Sequence, residues 1–533
     1  MKKTVSNFVL ALLIGTIFIN CANKGTPGGG PKDETPPRII KSIPENYTTN
    51  FEGNEIEIYF DEFIKIKDLN KQLIISPPMK NPPQVTPLGS ASKRIYIKII
   101  DTLQPNSTYA FNFGNSITDN NEGNPYPYYR YVFSTGDHID SLKVTGKIVD
   151  ALKKQPETFV NVALYEVDST YTDSIVFKET PKYITNTLDS VTTFSIENIK
   201  AGNYMLMALK DGNGDNKFQQ KTDQIAFHNT FIQVPTDTTY TLKLFNEELN
   251  FNATRPKLLA GEKIAFGYEG DYRDMSIKIL SDTPEEFKHR ITKDPQKDTL
   301  FYWYTPKMEV DSLIFKVSHP DFEKEFTVRI KDQTRDSLTI KVVSGNAIGL
   351  KEALKITGNT PLVKLDPSKI TLMDKDSVAV KFTSQFDTIT NTYAFNFDKT
   401  EDNSYRMQLL PETFVDLFDN KNDTLNVSMK TKKSSDFGYI RFTLINATYP
   451  LIIQLTSKDG EVKYENYVTK DEPVDFLDLD PAVYSIRTIQ DTNGNKKYDT
   501  GNFLQKRQPE NVIHFPDVEI RADWGIPETL TFK

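Results

Sequence analysis

A chain of 533 residues exceeds the size at which a single hydrophobic core stops growing, so several domains, roughly three to five, are required. With 38% hydrophobic, 11% aromatic and 26% charged residues, the composition is that of an ordered protein and excludes a disordered one. The net charge of -8 is mixed along the chain without a basic face, which excludes the phosphate-neutralising surface that nucleic-acid binding needs.

Lys2 and Lys3 precede an apolar stretch from Phe8 to Ile19, shorter than the ~20 residues that span a bilayer. Cys21, the only cysteine, follows almost directly, and in an exported chain it has no internal disulfide partner. Residues 1–20 resemble a bacterial lipoprotein signal peptide, which implies cleavage before Cys21 and a diacylglyceryl group on it. Phe18-Ile19-Asn20 departs from the usual Leu, small residue, then Gly or Ala, and fits the looser versions found in Bacteroidetes. Residues 21–37, rich in Gly and Pro, read as a tether that holds the first domain on the order of 20 Å or more from the lipid. The folded part is then expected to work beside a membrane, anchored to it, and not in it. Lys32-Asp33-Glu34 resembles the lysine-plus-acidic run that sends some Bacteroidetes lipoproteins to the cell surface, and it equally suits a solvated linker. The expected location is the outer membrane, with the surface ahead of the periplasmic face.

From Pro36 onward, short apolar and polar alternations such as Glu55-Ile56-Glu57-Ile58-Tyr59-Phe60 and Ser312-Leu313-Ile314-Phe315-Lys316-Val317 are separated by Pro, Gly, Asn and Asp. This period of two predicts half-buried strands, and many short strands predict an all-β fold of tandem β-sandwich modules. In residues 38–137, Tyr109, Phe111 and Phe113 are expected to share the core face of one strand. The landmarks Pro36-Pro37-Arg38-Ile39-Ile40, Tyr59-Phe60-Asp61-Glu62, Leu103-Gln104-Pro105-Asn106-Ser107-Thr108-Tyr109 and Phe133-Ser134-Thr135-Gly136 make this module resemble bacterial Ig-like domains. Residues 138–247, with Phe194-Ser195-Ile196-Glu197-Asn198-Ile199 running into Gly202-Asn203-Tyr204, resemble the transthyretin-like or carboxypeptidase-regulatory-like sandwich, which carries no peptidase activity.

A repeat organises the rest. Phe194, Ile196, Ile199, Ala201, Tyr204, Asp211, Asn213, Gly214 and Phe218 recur 280 positions later as Val474, Phe476, Leu479, Pro481, Tyr484, Asp491, Asn493, Gly494 and Tyr498. Residues 436–533 are therefore read as a second copy of 138–247. Residues 345–435 are read as an Ig-like sandwich that weakly repeats the first module, Asn403-Ser404-Tyr405 being set against Asn106-Ser107-Thr108 and Val415-Asp416 against Thr118-Asp119. Residues 248–344 read as a further Ig-like sandwich.

Catalytic apparatus is not recognisable. His138, His228, His289, His319 and His514 are scattered without a shared motif, no His-Glu-x-x-His occurs, and Gly28-Gly29-Gly30 lacks a phosphate-loop context. Asp211, Asn213 and Asp215 place oxygens at alternate positions, and Asp223 lies near the twelfth position of a calcium-loop count, so calcium is a candidate cofactor. Asp491, Asn493, Asn495 and Asp499 form a weaker second set. The same residue types suit a hydrogen-bonded Asx/Gly turn. Tyr126, Tyr128 and Tyr129 are candidates for a solvent-facing glycan platform, and they equally suit packing against the next module.

The chain as a whole resembles the multidomain Ig-like lipoproteins of Bacteroidetes. That implies a non-catalytic interaction or scaffold protein, an accessory subunit of an outer-membrane protein complex, with envelope proteins as partners. A surface adhesin or glycan-binding lipoprotein is the alternative.

Overall fold

The alternation in Glu55–Ile66 sends Ile56, Ile58, Phe60, Ile64 and Ile66 to one face, where all five are buried. The same period of two builds most of the chain. The computed structural model describes residues 33–188 and 192–532. Cys21, the signal-like segment and the tether as far as Lys32 lie outside the described residues. Eleven sheets group along the described chain into β-sandwiches over residues 39–134, 142–244, 252–329, 340–431 and 438–531. The described fold is all-β, a tandem of β-sandwiches.

Each sandwich has its own core, to which every fully buried Ile, Leu or Phe side chain contributes roughly 1.5–3 kcal/mol. Tyr109, Phe111 and Phe113 all lie in the first core. Residues 33–37, expected in the tether, are instead fastened to the first sandwich. The Asn124 side-chain amide donates to the carbonyls of Asp33 (2.8 Å) and Thr35 (3.3 Å), and Pro37 is buried.

The 280-residue repeat is visible in the backbone. Strand Gly202–Lys210 has its counterpart in Ala482–Gln490. In the second sandwich, Leu142–Asp150 lies between antiparallel Thr193–Ile199 and parallel Thr239–Leu244. In the fifth, Gly438–Ile445 lies between antiparallel Val474–Leu479 and parallel Gly525–Thr531. Left-handed φ values recur at Asn198 and Asp478 (60° and 55°), Gly214 and Gly494 (79° and 75°), and Asn216 and Lys496 (57° and 66°). The Tyr204 hydroxyl donates to the Lys200 carbonyl (3.0 Å), and Tyr484 donates to Asp480 in the same way (2.8 Å).

The weaker repeat is also present: Asp416 stands where Asp119 does, as expected, each accepting the amides two and four residues on, while the tyrosine segment lies one residue out of the expected register. In the first sandwich the Gln104 amide donates to the Tyr109 hydroxyl (2.8 Å), and the Ser107 amide to Thr135 Oγ1 (2.9 Å). In the fourth, the Thr400 amide donates to the Tyr405 hydroxyl (2.8 Å), and the Asn403 amide to Thr431 Oγ1 (3.0 Å). Tyr405 therefore matches Tyr109, and Asn403 matches Ser107. Aligning the two Asn-Ser pairs had put Tyr405 opposite Thr108. What fixes the register is a tyrosine hydroxyl tied to the backbone a few residues upstream, as in the tyrosine corner of Ig-like sandwiches.

The two copies of the stronger repeat touch. After Asp499 the fifth sandwich sends a loop into the second, where Phe503 is fully buried and joins the cluster of Phe227 and Phe245. The Phe503 ring packs edge-on against Phe227 with centroids 5.3 Å apart. Its amide donates to the Glu247 carboxylate, and Gln508 Nε2 donates to the Phe227 carbonyl (2.9 Å). Sandwiches two to five thus form a closed circuit, to which the first is joined through Arg130, bonded to Glu197 and to Asn198 Oδ1 (2.7 Å).

Candidate functional site

Strand Thr299–Thr305, Thr-Leu-Phe-Tyr-Trp-Tyr-Thr, is aromatic on both faces. Leu300, Tyr302 and Tyr304 fill the third core, which turns Phe301 and Trp303 outward. An outward Trp needs cover and a partner for its N–H. Trp303 Nε1 donates to Thr292 Oγ1 (2.9 Å), and the indole packs 6.3 Å from the Phe418 ring of the fourth sandwich. Lys263, paired with Trp303 across the strands, holds its ammonium 3.9 Å from the Phe301 ring centre and 4.6 Å from that of Trp303. Burial pushes this lysine's pKa below the usual value, against the pull of Asp336 and Asp294.

These residues form one wall of a cleft of about 1210 Å³ between the third and fourth sandwiches. The other wall is the outer face of the sheet made by Ile340–Val342, Leu354–Gly358, Thr392–Phe397 and Phe382–Asp387. At the base, the Lys293 amide donates to the Ile389 carbonyl (2.7 Å). Arg335, in the connection between the two sandwiches, pairs with buried Glu262 at 2.7 Å and lies 3.8 Å over the Phe418 ring. One side chain thus ties both walls together. The cleft is lined by Lys263, Lys293, Lys341 and Lys355 against a single acidic residue, Asp387.

The predicted sites fare differently. Asp211 accepts from the amides of Asn213 (3.1 Å), Gly214 (2.7 Å) and Asn216 (2.7 Å). Asp215 accepts from Lys217, and Asp223 from Gly212 (3.0 Å) and Gln219 (2.8 Å). In the second loop, Asp491 accepts from Gly494 and Lys496, while Asp499 accepts from the side-chain amides of Asn493 and Asn495. Among the described residues no three acidic, histidine or cysteine side chains converge on a metal position. In both loops the carboxylates act as Asx-turn acceptors, each directed at its own group of N–H donors.

The tyrosine platform needs correction. Tyr129 is 8% exposed in the first core, with its ring centre 6.0 Å from that of Phe113. Tyr126 packs edge-on against Tyr129, and only Tyr128 is exposed, at the junction with the second sandwich beside Arg130, Ile184 and Phe194. The histidines do not assemble. His289 stacks on Tyr302 with ring centres 5.0 Å apart, His319 stacks on Phe251 at 4.2 Å, and burial holds His514 below its usual pKa.

Sequence reasoning missed Lys263, Phe301, Trp303 and Phe503. A strand with aromatics on both faces was the available sign for the cleft. For Phe503 it was the extra length after Asp499, where the repeat ceases to match.

Residues 33–135 match the family model described as a bacterial Ig-like domain. No curated protein matches the chain. Among solved structures, a recombinant form of the S-layer protein SbsC is similar at 12% identity, covering 86% of this chain and 65% of its own length, with a TM-score of 0.15. The chain thus spans just under two thirds of that relative. Domains 5–6 of SbsC match at 11% identity over 35% of this chain and 98% of theirs, with a TM-score of 0.17. A tandem pair of titin Ig domains matches at 11% identity over 35% and 98%, with a TM-score of 0.14. No helix among the described residues is long and apolar enough to cross a membrane.

Proposed function

We propose that the chain is a non-catalytic scaffold of the bacterial outer membrane, anchored by a lipid on Cys21 and acting as an accessory subunit of an envelope protein complex. The observation that carries this reading is the closed circuit: Phe503 of the fifth sandwich is buried in the second, which fixes the relative positions of four modules. Freely jointed modules would pay ordering entropy each time they engaged a large partner, whereas a closed frame has met that cost on folding. Its edges and clefts are therefore presented to a partner in one arrangement.

Mild crosslinking of intact cells, followed by detergent pull-down of the full chain, tests the reading. Stoichiometric recovery of envelope proteins is expected. Recovery of the chain alone, together with binding of soluble chain to polysaccharide, would overturn it in favour of a glycan-binding lipoprotein. Replacing Cys21 with Ser is expected to release the chain from the membrane fraction, and retained attachment would refute the anchor.

A further inference from the structure

The cleft between the third and fourth sandwiches has a chemistry of its own. Four lysines face one aspartate in a chain whose net charge is -8, so the surplus of positive charge is local. Lys293 is used internally, donating to the carbonyls of Asp294 (2.9 Å) and Lys297 (2.5 Å). Among the described residues, Lys263, Lys341 and Lys355 have no carboxylate within ion-pair distance. Lys263 is half-buried between two ring faces, and Asp336 and Asp294 act on it only from beyond ion-pair distance.

The neutral polar groups that could read sugar hydroxyls are mostly consumed. Thr292 Oγ1 accepts from Trp303, Thr357 Oγ1 donates to the Asn391 carbonyl (2.8 Å), and the Asn391 amide donates to the carbonyls of Gly358 and Thr360. The Trp303 indole is 4% exposed and covered by Lys263, so it offers no stacking face to a sugar ring. What remains available is ammonium groups in a trough larger than the 300–1,000 Å³ typical of small-molecule sites. Strand Ile340–Val342, which contributes Lys341, is the terminal strand of its sheet and pairs only with Leu354–Gly358, leaving main-chain groups for an extended segment.

Resting on the scaffold reading above, we propose that this cleft binds an acidic, extended polypeptide segment of a partner protein, with Lys263, Lys341 and Lys355 receiving its carboxylates. Arg335 holds the two walls at the spacing the segment needs.

The protein supplies its own reporter. Of its two tryptophans, Trp303 lines the cleft and Trp524 is 62% exposed in the fifth sandwich, so a Trp524→Phe background isolates the cleft signal. A fluorescein-labelled glutamate decapeptide titrated onto the full chain should bind, shift Trp303 emission and dissociate as salt is raised. Exposed-pair energetics predict that Lys341→Gln and Lys355→Gln each weaken binding about two- to fivefold. Loss of the half-buried charge in Lys263→Gln should weaken it roughly tenfold or more. The double variant Lys341→Glu/Lys355→Glu alters exposed positions only, and should abolish binding without moving the melting profile.

Unchanged affinity in these variants, a silent Trp303, or tighter binding of polygalacturonate than of the decapeptide would each overturn the proposal. Partners still recovered by crosslinking from the double variant would sink the cleft and leave the scaffold reading standing. A chain recovered alone, whatever the decapeptide does, would sink the scaffold reading itself.

Discussion

Phe503→Ala is the sharpest perturbation of the closed circuit. The side chain is fully buried, packs edge-on against Phe227 at 5.3 Å, and carries the Lys506 ammonium 4.1 Å above its ring. Truncating a buried Phe to Ala typically costs about 3–5 kcal/mol, the lost transfer energy plus that of the cavity left behind. The other contacts across this joint are polar: Lys506 pairs with Asp173 at 2.6 Å and Lys154 with Asp517 at 2.8 Å, partly exposed pairs worth about 0.2–1 kcal/mol each, and Arg487 donates to the Leu152 carbonyl (3.1 Å). The closure constant of the joint should therefore fall by roughly two to three and a half orders of magnitude. The sandwich that donates the loop keeps its own core, because Phe503 belongs to the second module's cluster and not to the fifth's. Small-angle scattering should show a larger radius of gyration for the variant, and calorimetry should show the second and fifth sandwiches melting at separate temperatures. A variant with unchanged dimensions and melting profile would refute the idea that this side chain closes the frame.

Other expectations follow from the same contacts. A Cβ on Gly501 would sit 2.5 Å from the Phe245 ring and 2.8 Å from the Arg507 carbonyl, so Gly501→Ala should open the same joint, read by faster proteolysis at the loop. Asp491→Ala removes a fully buried carboxylate that serves three loop amides, and should lower stability by about 1–3 kcal/mol in denaturant unfolding. Chelator should not shift the melting of the parent protein, whereas a native calcium site would produce such a shift. Burial, Arg487 and Lys154 hold the His514 pKa below its ordinary value, so the stability it contributes is present above about pH 6.5 and is lost as the pH falls toward its folded pKa. His514→Gln should therefore reduce the fall in melting temperature of the fifth sandwich between neutral pH and mildly acidic buffer. Arg335→Ala unpairs the buried Glu262 and frees Phe418, and should raise hydrogen exchange along both walls of the cleft.

The fold class was legible because a period of two survives in a single strand: Glu55–Ile66 and Gly438–Ile445 announce their buried faces without any partner. The repeat was legible because it is carried by turn residues whose backbone angles leave few alternatives, Gly214 and Gly494 among them. The candidate sites were not. A run such as Asp211-Gly212-Asn213-Gly214-Asp215 codes equally for a turn and for a cation loop, and only the directions of the N–H groups decide. Tyr129 follows Tyr128 in sequence, yet the left-handed Tyr128 (φ 54°) turns the chain so that one ring faces the junction and the next the core. The cleft joins strands more than 70 residues apart in sequence, as in Lys263 and Lys341, and no local pattern carries that information.

The two copies of the repeat also show how the frame could close without disturbing either fold. In the second sandwich Asp223 accepts from the Gly212 amide (3.0 Å) and the Gln219 amide (2.8 Å), while its own amide donates to the Gln219 carbonyl (3.0 Å). In the fifth, Glu510 accepts from the equivalent amides of Thr492 (2.7 Å) and Asp499 (3.1 Å), and its amide donates to the Asp499 carbonyl (3.0 Å). The three bonds are the same, but the closing residue stands 11 positions after Asp499, against 4 for Asp223 after Gln219, so seven extra residues hang between two fixed points. Those residues carry Gly501 and Phe503. An insertion pinned at its root costs little to order, because loop closure has already been met by the turn it grew from. Its tip can therefore spend its burial on the neighbouring module. Shortening the loop by removing 501–507 should restore the simple turn, leave the fifth sandwich folded and open the joint as Phe503→Ala does. A deletion that instead unfolded the fifth sandwich would show that the insertion belongs to that module's own core.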